Sequence, residues 1–145
     1  MYFVDREKIN AILNFLEKQI ALFEGAKSWE TPVEKSALER IPHTMIEAIL
    51  DVGNDIIDGF IMRDPGSYED IIDILLDEKV ITDEISSGLK KIVIYRKILV
   101  QQYAEINHAQ LLQDFTENLT IIKQFAPSVR TYIQNELGPV SAFKN

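Results

Sequence analysis

Arg96, Lys97, Gln101 and Tyr103 place two cations, an amide and a phenol close together in the chain. Arginine presents a planar fork of donors that fits a carboxylate or a phosphate at two oxygens at once. Glutamine can orient such an anion but cannot take or give a proton near neutral pH. The four residues lie in Ile85–Ala104, ISSGLKKIVIYRKILVQQYA, where Leu89, Ile92, Leu99 and Tyr103 recur at helical spacing and predict one apolar face. Arg96 interrupts that face, and a charge set among apolar groups must be paired. Its partner is either a carboxylate of the same fold, with Asp51, Asp55 and Asp58 as candidates, or a phosphate from outside.

The elements that must position these residues read as helices. The first runs from Asp5 to about Phe23, with Asp5 as N-cap and Ile9, Leu13, Leu16, Ile20 and Phe23 on one face. Thr31-Pro32 opens the second, which continues to about Met62 with a bend at Pro42. Ser67 opens a short third helix after the turn signal Asp64-Pro65-Gly66, and Thr82 caps the fourth, which extends to Ala104. Asn107 caps a fifth that ends at Gly138-Pro139. Only the start, Tyr2–Val4, has any strand character. The expected fold is all-α: an antiparallel bundle of four long helices and one short one, forming a single domain over residues 1–145. The second helix is apolar around well over half its circumference, through Met45, Ile46, Ile49, Leu50, Val52, Ile56, Ile57 and Phe60. Such a helix either lies centrally in the core or meets a second chain. Val93, Ile94, Ile98 and Val100 widen the stripe of the fourth helix as well, which predicts a two-fold homodimer through these two helices.

Composition narrows the function. The chain has 145 residues, 46% apolar and 26% charged, as expected of one globular domain. It contains no cysteine, so it holds neither a disulfide framework nor a thiolate metal site. No apolar run approaches the roughly 20 residues of a membrane span, and the start MYFVDREKIN has no apolar leader core. A cytoplasmic location without membrane attachment is expected. A net charge of -8 disfavours non-specific nucleic-acid binding by the whole surface. Charge is nonetheless segregated. Glu47–Glu84 carries twelve acidic residues against Arg63 and Lys79, whereas Ile85–Ala104 carries Lys90, Lys91, Arg96 and Lys97 and no acid. That basic segment either pairs with the acidic helices or receives a phosphate.

The segments AILDVGNDIIDGFIMRDPGSYEDIIDIL (48–75) and YRKILVQQYAEI (95–106) resemble the HepT-like family of HEPN-domain proteins, and its small bacillary branch in particular. The likeness extends to the ending ELGPVSAFK. The resemblance implies an all-helical, dimeric fold and membership of the toxin–antitoxin class, whose best-known toxins are metal-independent ribonucleases neutralised by nucleotidyltransferase antitoxins. The family pattern is an arginine, often followed by asparagine, then a histidine five residues after the arginine and a tyrosine two residues after that. Arg96 and Tyr103 match it. Lys97 stands where asparagine is common, and Gln101 stands where the catalytic histidine belongs.

Cleavage of RNA without a metal uses the 2′-hydroxyl as nucleophile, so one group must take its proton and another must neutralise charge growing on phosphorus. Histidine suits the first task and arginine the second. With Gln101 in the histidine position, that catalytic position is degenerate, and weakened or lost ribonuclease activity is expected. Arg96 and Lys97 remain as phosphate-binding groups, and Tyr103 lines the cleft or, as in the toxin systems, accepts nucleotide from the antitoxin. Asp51, Asn54 and Asp58 form a supporting polar strip with Glu47. No Glu-x-x-His motif accompanies that strip, so no metal and no cofactor is expected. His43 reads as a packing or surface residue, and His108 lies at a helix start, too far along the chain to replace the missing histidine without help from the fold. The rival reading is a non-catalytic dimeric module that binds a nucleotide or a protein; RNA, a nucleotidyltransferase antitoxin and a second copy of the chain are the candidate partners.

Overall fold

Five of the seven helices among the described residues begin with a side chain that satisfies backbone donors left free by the first turn. The computed structural model describes residues 2–138, and its helices are α1 Arg6–Gly25, α2 Pro32–Gly59, α3 Tyr68–Asp77, α4 Asp83–Val93, α5 Tyr95–Gln101, α6 His108–Glu117 and α7 Leu119–Leu137. Asp5, Thr31, Ser67, Thr82 and Asn107 accept from the backbone N–H of Lys8, Glu34, Asp70, Ile85 and Gln110. Thr31 and Glu34 complete a reciprocal capping box. All described elements are helical; Tyr2–Val4 is extended chain that donates Phe3 N–H to the Gly59 carbonyl at 3.0 Å. Pro139, expected to follow the last helix, lies outside the described residues.

Two expected helices are each divided. The predicted span ending at Ala104 breaks at Ile94, a turn between α4 and α5, and α5 ends at Gln101. The run Ile92-Val93-Ile94 is β-branched throughout, which restricts χ1 and lowers helix propensity at that point. The predicted fifth helix breaks at Asn118, whose Nδ2 donates to the Asp114 carbonyl at 2.8 Å and competes with the helical ladder. The second helix, by contrast, runs unbroken through Pro42 and stops at Gly59 rather than near Met62.

α2 is the central element. It packs against α1, α3, α5 and α6, while α4 and α7 close the other side. Met45, Ile46, Ile49, Leu50, Val52, Ile56 and Ile57 are all essentially sealed from solvent within one chain. The wide apolar arc of this helix is thus accounted for by its own fold, and it leaves no apolar face over for a partner. Val93 is likewise buried, but Ile94 and Val100 stay half exposed. Gly53 and Gly88 permit two close approaches: a Cβ at Gly53 would stand 2.5 Å from Ile71 Cγ2, and one at Gly88 2.6 Å from Ile121 Cδ1.

Candidate functional site

The break at Ile94 sets the direction of α5. Tyr95, its first residue, is buried against Phe115 and donates its hydroxyl to Asp114 of α6. Burial and the Asp114 carboxylate push the Tyr95 phenol far above its ordinary range, so it acts as a donor at every physiological pH. With Tyr95 anchored on one side, Arg96 projects toward α2. Its Nε donates to Glu47 Oε1 at 2.6 Å, and its guanidinium carbon sits 4.3 Å from the centroid of the Tyr68 ring. The partner is Glu47 and not Asp51, Asp55 or Asp58 as expected, because Arg96 meets α2 at least one turn before those carboxylates.

Arg96 is held but not sealed. Its side chain keeps 28% of its exposure, and its two terminal nitrogens have no hydrogen-bond partner among the described residues. Arg96 lines a groove of about 390 Å³ walled by the start of α3 (Ser67, Tyr68, Glu69), the end of α4 (Val93, Ile94) and α5 (Arg96, Lys97, Val100, Gln101). Arg96, Lys97 and Gln101 are therefore brought together in one concavity. Lys97 has no ion-pair partner among the described residues, whereas Lys90 is paired with Asp73 of α3. Of the four cations of the basic segment, Lys90 and Arg96 pair with the acidic helices, and Lys91 and Lys97 have no ion-pair partner among the described residues.

Tyr103 stands apart from that concavity. It follows the end of α5, is 71% exposed, and is absent from the groove walls. It does not share the buried face of Leu89, Ile92 and Leu99 that its spacing predicted, because the helix ends two residues before it. The supporting strip is dispersed too. Asp51 faces a second groove between α1 and α2, beside Arg40, Thr44 and Glu47. Its carboxyl is held above the usual range by partial burial and by the nearby charges of Glu47 and Asp55, against the opposing pull of Lys8 and Arg96. Asn54 and Asp58 line neither groove. Asp55 accepts from Lys8 at 3.3 Å through Oδ1 and leaves its buried Oδ2 unpartnered. No group of side chains among the described residues could hold a metal ion, and none of their helices is long and apolar enough to cross a membrane.

Both histidines have specific partners. His108 Nε2 lies 2.6 Å from Glu39 Oε2, tying the start of α6 to α2. His43 Nε2 lies 3.4 Å from Glu47 Oε1, the oxygen that receives Arg96. Glu47, Tyr68 and His43 are the residues around Arg96 that spacing alone did not select. The i, i+4 relation of His43 and Glu47 on one helix was the available signal.

The all-helical fold and the sequence together define the class of protein. A family profile described as Ribonuclease HepT-like matches residues 6–129, and the chain belongs to that family. It is similar to YutE of Bacillus subtilis, named as a candidate RNase, with 53% identity over 144 residues that cover 99% of this chain and 100% of YutE. The solved structure of YutE, described as a cytosolic protein of unknown function, gives a TM-score of 0.95 at 52% identity and covers 99% of this chain and 100% of that one. A tri-AMPylated HEPN toxin from Shewanella oneidensis, in complex with an MNT antitoxin, gives a TM-score of 0.72 at 25% identity over 90% of this chain and 99% of the toxin.

Proposed function

We propose that the groove at Arg96 binds an RNA phosphodiester, and that this single-domain HepT-like protein is a ribonuclease relative of the toxin–antitoxin class with weakened turnover. The observation that carries the reading is the division of labour in the Arg96 guanidinium. Glu47 and Tyr68 fix its orientation while its terminal nitrogens have no hydrogen-bond partner among the described residues, on a side chain that lines an open concavity. A preset cation of this kind stabilises the negative charge that develops on the non-bridging oxygens when a 2′-oxygen attacks phosphorus. Lys97 adds a second charge, and Gln101 can orient the phosphate but cannot serve as acid or base. The exposed Tyr103 hydroxyl is accessible as an acceptor of nucleotide from an antitoxin of the kind seen with the Shewanella toxin. The cytosolic description of YutE supports a cytoplasmic location. In the same reading the chain forms a homodimer, and sedimentation at micromolar concentration tests the oligomeric state directly.

The test is cleavage of a mixed-sequence RNA in EDTA, which silences contaminating metal nucleases. Slow wild-type cleavage is expected, with a gain of up to about 10²–10⁴ in the variant Lys97→Asn, Gln101→His, which restores an imidazole to the groove. Adding Arg96→Ala should abolish the gain. Wild-type cleavage that survives loss of Arg96 contradicts the assignment. Absence of cleavage even in the double variant would favour the non-catalytic reading, in which the same groove retains a nucleotide or a protein ligand.

A further inference from the structure

The groove at Arg96 offers more than an anion needs. A phosphate needs donors and positive charge, which the α5 wall supplies through Arg96 and Lys97. Much of the remaining wall is apolar. Tyr68 of α3, Ile94 of the turn after α4 and Val100 of α5 all line it, and each is about half exposed. Single exposed apolar side chains are ordinary, but three on one concavity mark a binding surface. Tyr68 keeps 48% of its exposure even though the Arg96 guanidinium carbon sits 4.3 Å from its ring centroid. An open aromatic ring beside a cation is the pairing that holds a nucleobase next to its phosphate, the ring by stacking and the cation by charge. Charge is also divided across the groove, with Arg96 and Lys97 on α5 and Glu69 on α3. The Glu69 carboxylate repels a second anion from the α3 wall, which favours an uncharged group there. For the polar edge of a base, Gln101 offers a donor and an acceptor and Glu69 offers acceptors.

We propose that Tyr68 determines the specificity of this groove by stacking against a base of the RNA whose phosphate lies on Arg96 and Lys97, so that the groove takes a base-bearing nucleotide of a single strand. The proposal rests on the reading of the Arg96 groove as a phosphodiester site, and it adds which part of the nucleotide fills the apolar wall. A base inside a duplex has its faces stacked and its pairing edge engaged, so it must leave the helix before it can lie on Tyr68. Stacking on a ring is tolerant of sequence, because every base has a π-face. Tyr68 therefore selects unpaired nucleotides and not a particular base. Its contact with the guanidinium gives Tyr68 a second role, as a prop for Arg96. The two roles are separable, since only stacking depends on whether the ligand carries bases.

The experiment measures fluorescence anisotropy with three probes: a 2′-O-methyl RNA oligonucleotide, the same strand made abasic, and the duplex it forms with its complement. The proteins are the full chain and its Tyr68→Ala, Tyr68→Phe and Arg96→Ala variants, each with its melting temperature. The wild type should hold the base-bearing strand at least about tenfold more tightly than the abasic strand or the duplex. Tyr68→Ala should lose that factor while it keeps the wild-type affinity for the abasic strand, and Tyr68→Phe should keep both. Tyr68→Ala that weakens on both strands alike makes Tyr68 only a prop for Arg96 and overturns the proposal. Tyr68→Ala that binds the base-bearing strand as tightly as the wild type overturns it too. A wild type that holds the duplex or the abasic strand as tightly as the base-bearing strand also overturns it, and leaves the apolar wall to a second copy of the chain. In these three cases, loss of binding in Arg96→Ala keeps the groove reading standing. A wild type that binds no probe, or that binds as well without Arg96, overturns both.

Discussion

Arg96 has three kinds of neighbour: Glu47 takes Nε, Tyr68 supports the guanidinium face, and the side chain lines the open groove. A carboxylate so close to the cation also raises the electrostatic cost of its neighbours on α2. Asp51, one turn after Glu47 and one before Asp55, has its carboxyl raised by partial burial and by both of them. A carboxyl that binds its proton more tightly in the folded than in the unfolded state lowers stability as pH rises through the interval between the two values. Asp51→Asn removes that penalty. It should raise the melting temperature near pH 7 by the equivalent of less than about 1 kcal/mol, since solvent screens so exposed a group. The gain should shrink as pH falls and the wild-type carboxyl takes up its proton. Thermal melts at both ends of that range decide the matter, and a gain confined to acid would contradict the sign. At this scale residue type alone singled out Arg96, Lys97 and Gln101, and the structure sets the three on one groove. Sequence reading placed Glu47 in the polar strip but did not pair it or Tyr68 with Arg96, because these reach Arg96 from other helices, 49 residues away in the case of Glu47.

At the scale of helices, caps were legible and interior breaks were not. Asp5, Thr31, Ser67, Thr82 and Asn107 signal their roles through side-chain oxygens at helix starts, an effect that acts over three residues. Neither the turn at Ile94 nor the one at Asn118 contains glycine or proline. The first is bounded on its α5 side by a tertiary contact, the bond from Tyr95 to Asp114 of α6, and it turns Arg96 toward Glu47. The angle of α4 is set in part by Gly88, which lets α7 approach. A methyl there would stand 2.6 Å from Ile121 Cδ1 and 3.1 Å from its Cβ, and a Cβ cannot swing aside as a terminal methyl can. Gly88→Ala gains about 1 kcal/mol of helix propensity but costs about 1–3 kcal/mol of overpacking. We expect net destabilisation of up to about 2 kcal/mol in urea unfolding with an unchanged slope. A more stable alanine variant would show that α4 and α7 are less closely apposed than this geometry requires.

Over the whole molecule, fold class followed from patterning, since helical periodicity and helix caps recur along the length of the chain. The breadth of the apolar arc on α2 had two readings, and the buried residues Met45, Ile49 and Ile56 resolve it as the centre of one chain's core. The arrangement of the site was not readable at this scale, because three separate helices converge on Arg96. The global charge gives the phosphodiester reading its most direct test. On a protein of net charge -8, RNA cannot be held by general attraction, so binding must depend on the one cleft that carries Arg96 and Lys97. The measurement is fluorescence anisotropy with a 2′-O-methyl RNA oligonucleotide, which retains the phosphates but cannot be cleaved through its 2′-oxygen. The account predicts salt-sensitive binding by the wild type that falls at least about tenfold in Arg96→Ala, a loss of about 1.4 kcal/mol. Binding of equal strength in the two proteins, or none by the wild type at low salt, would contradict it.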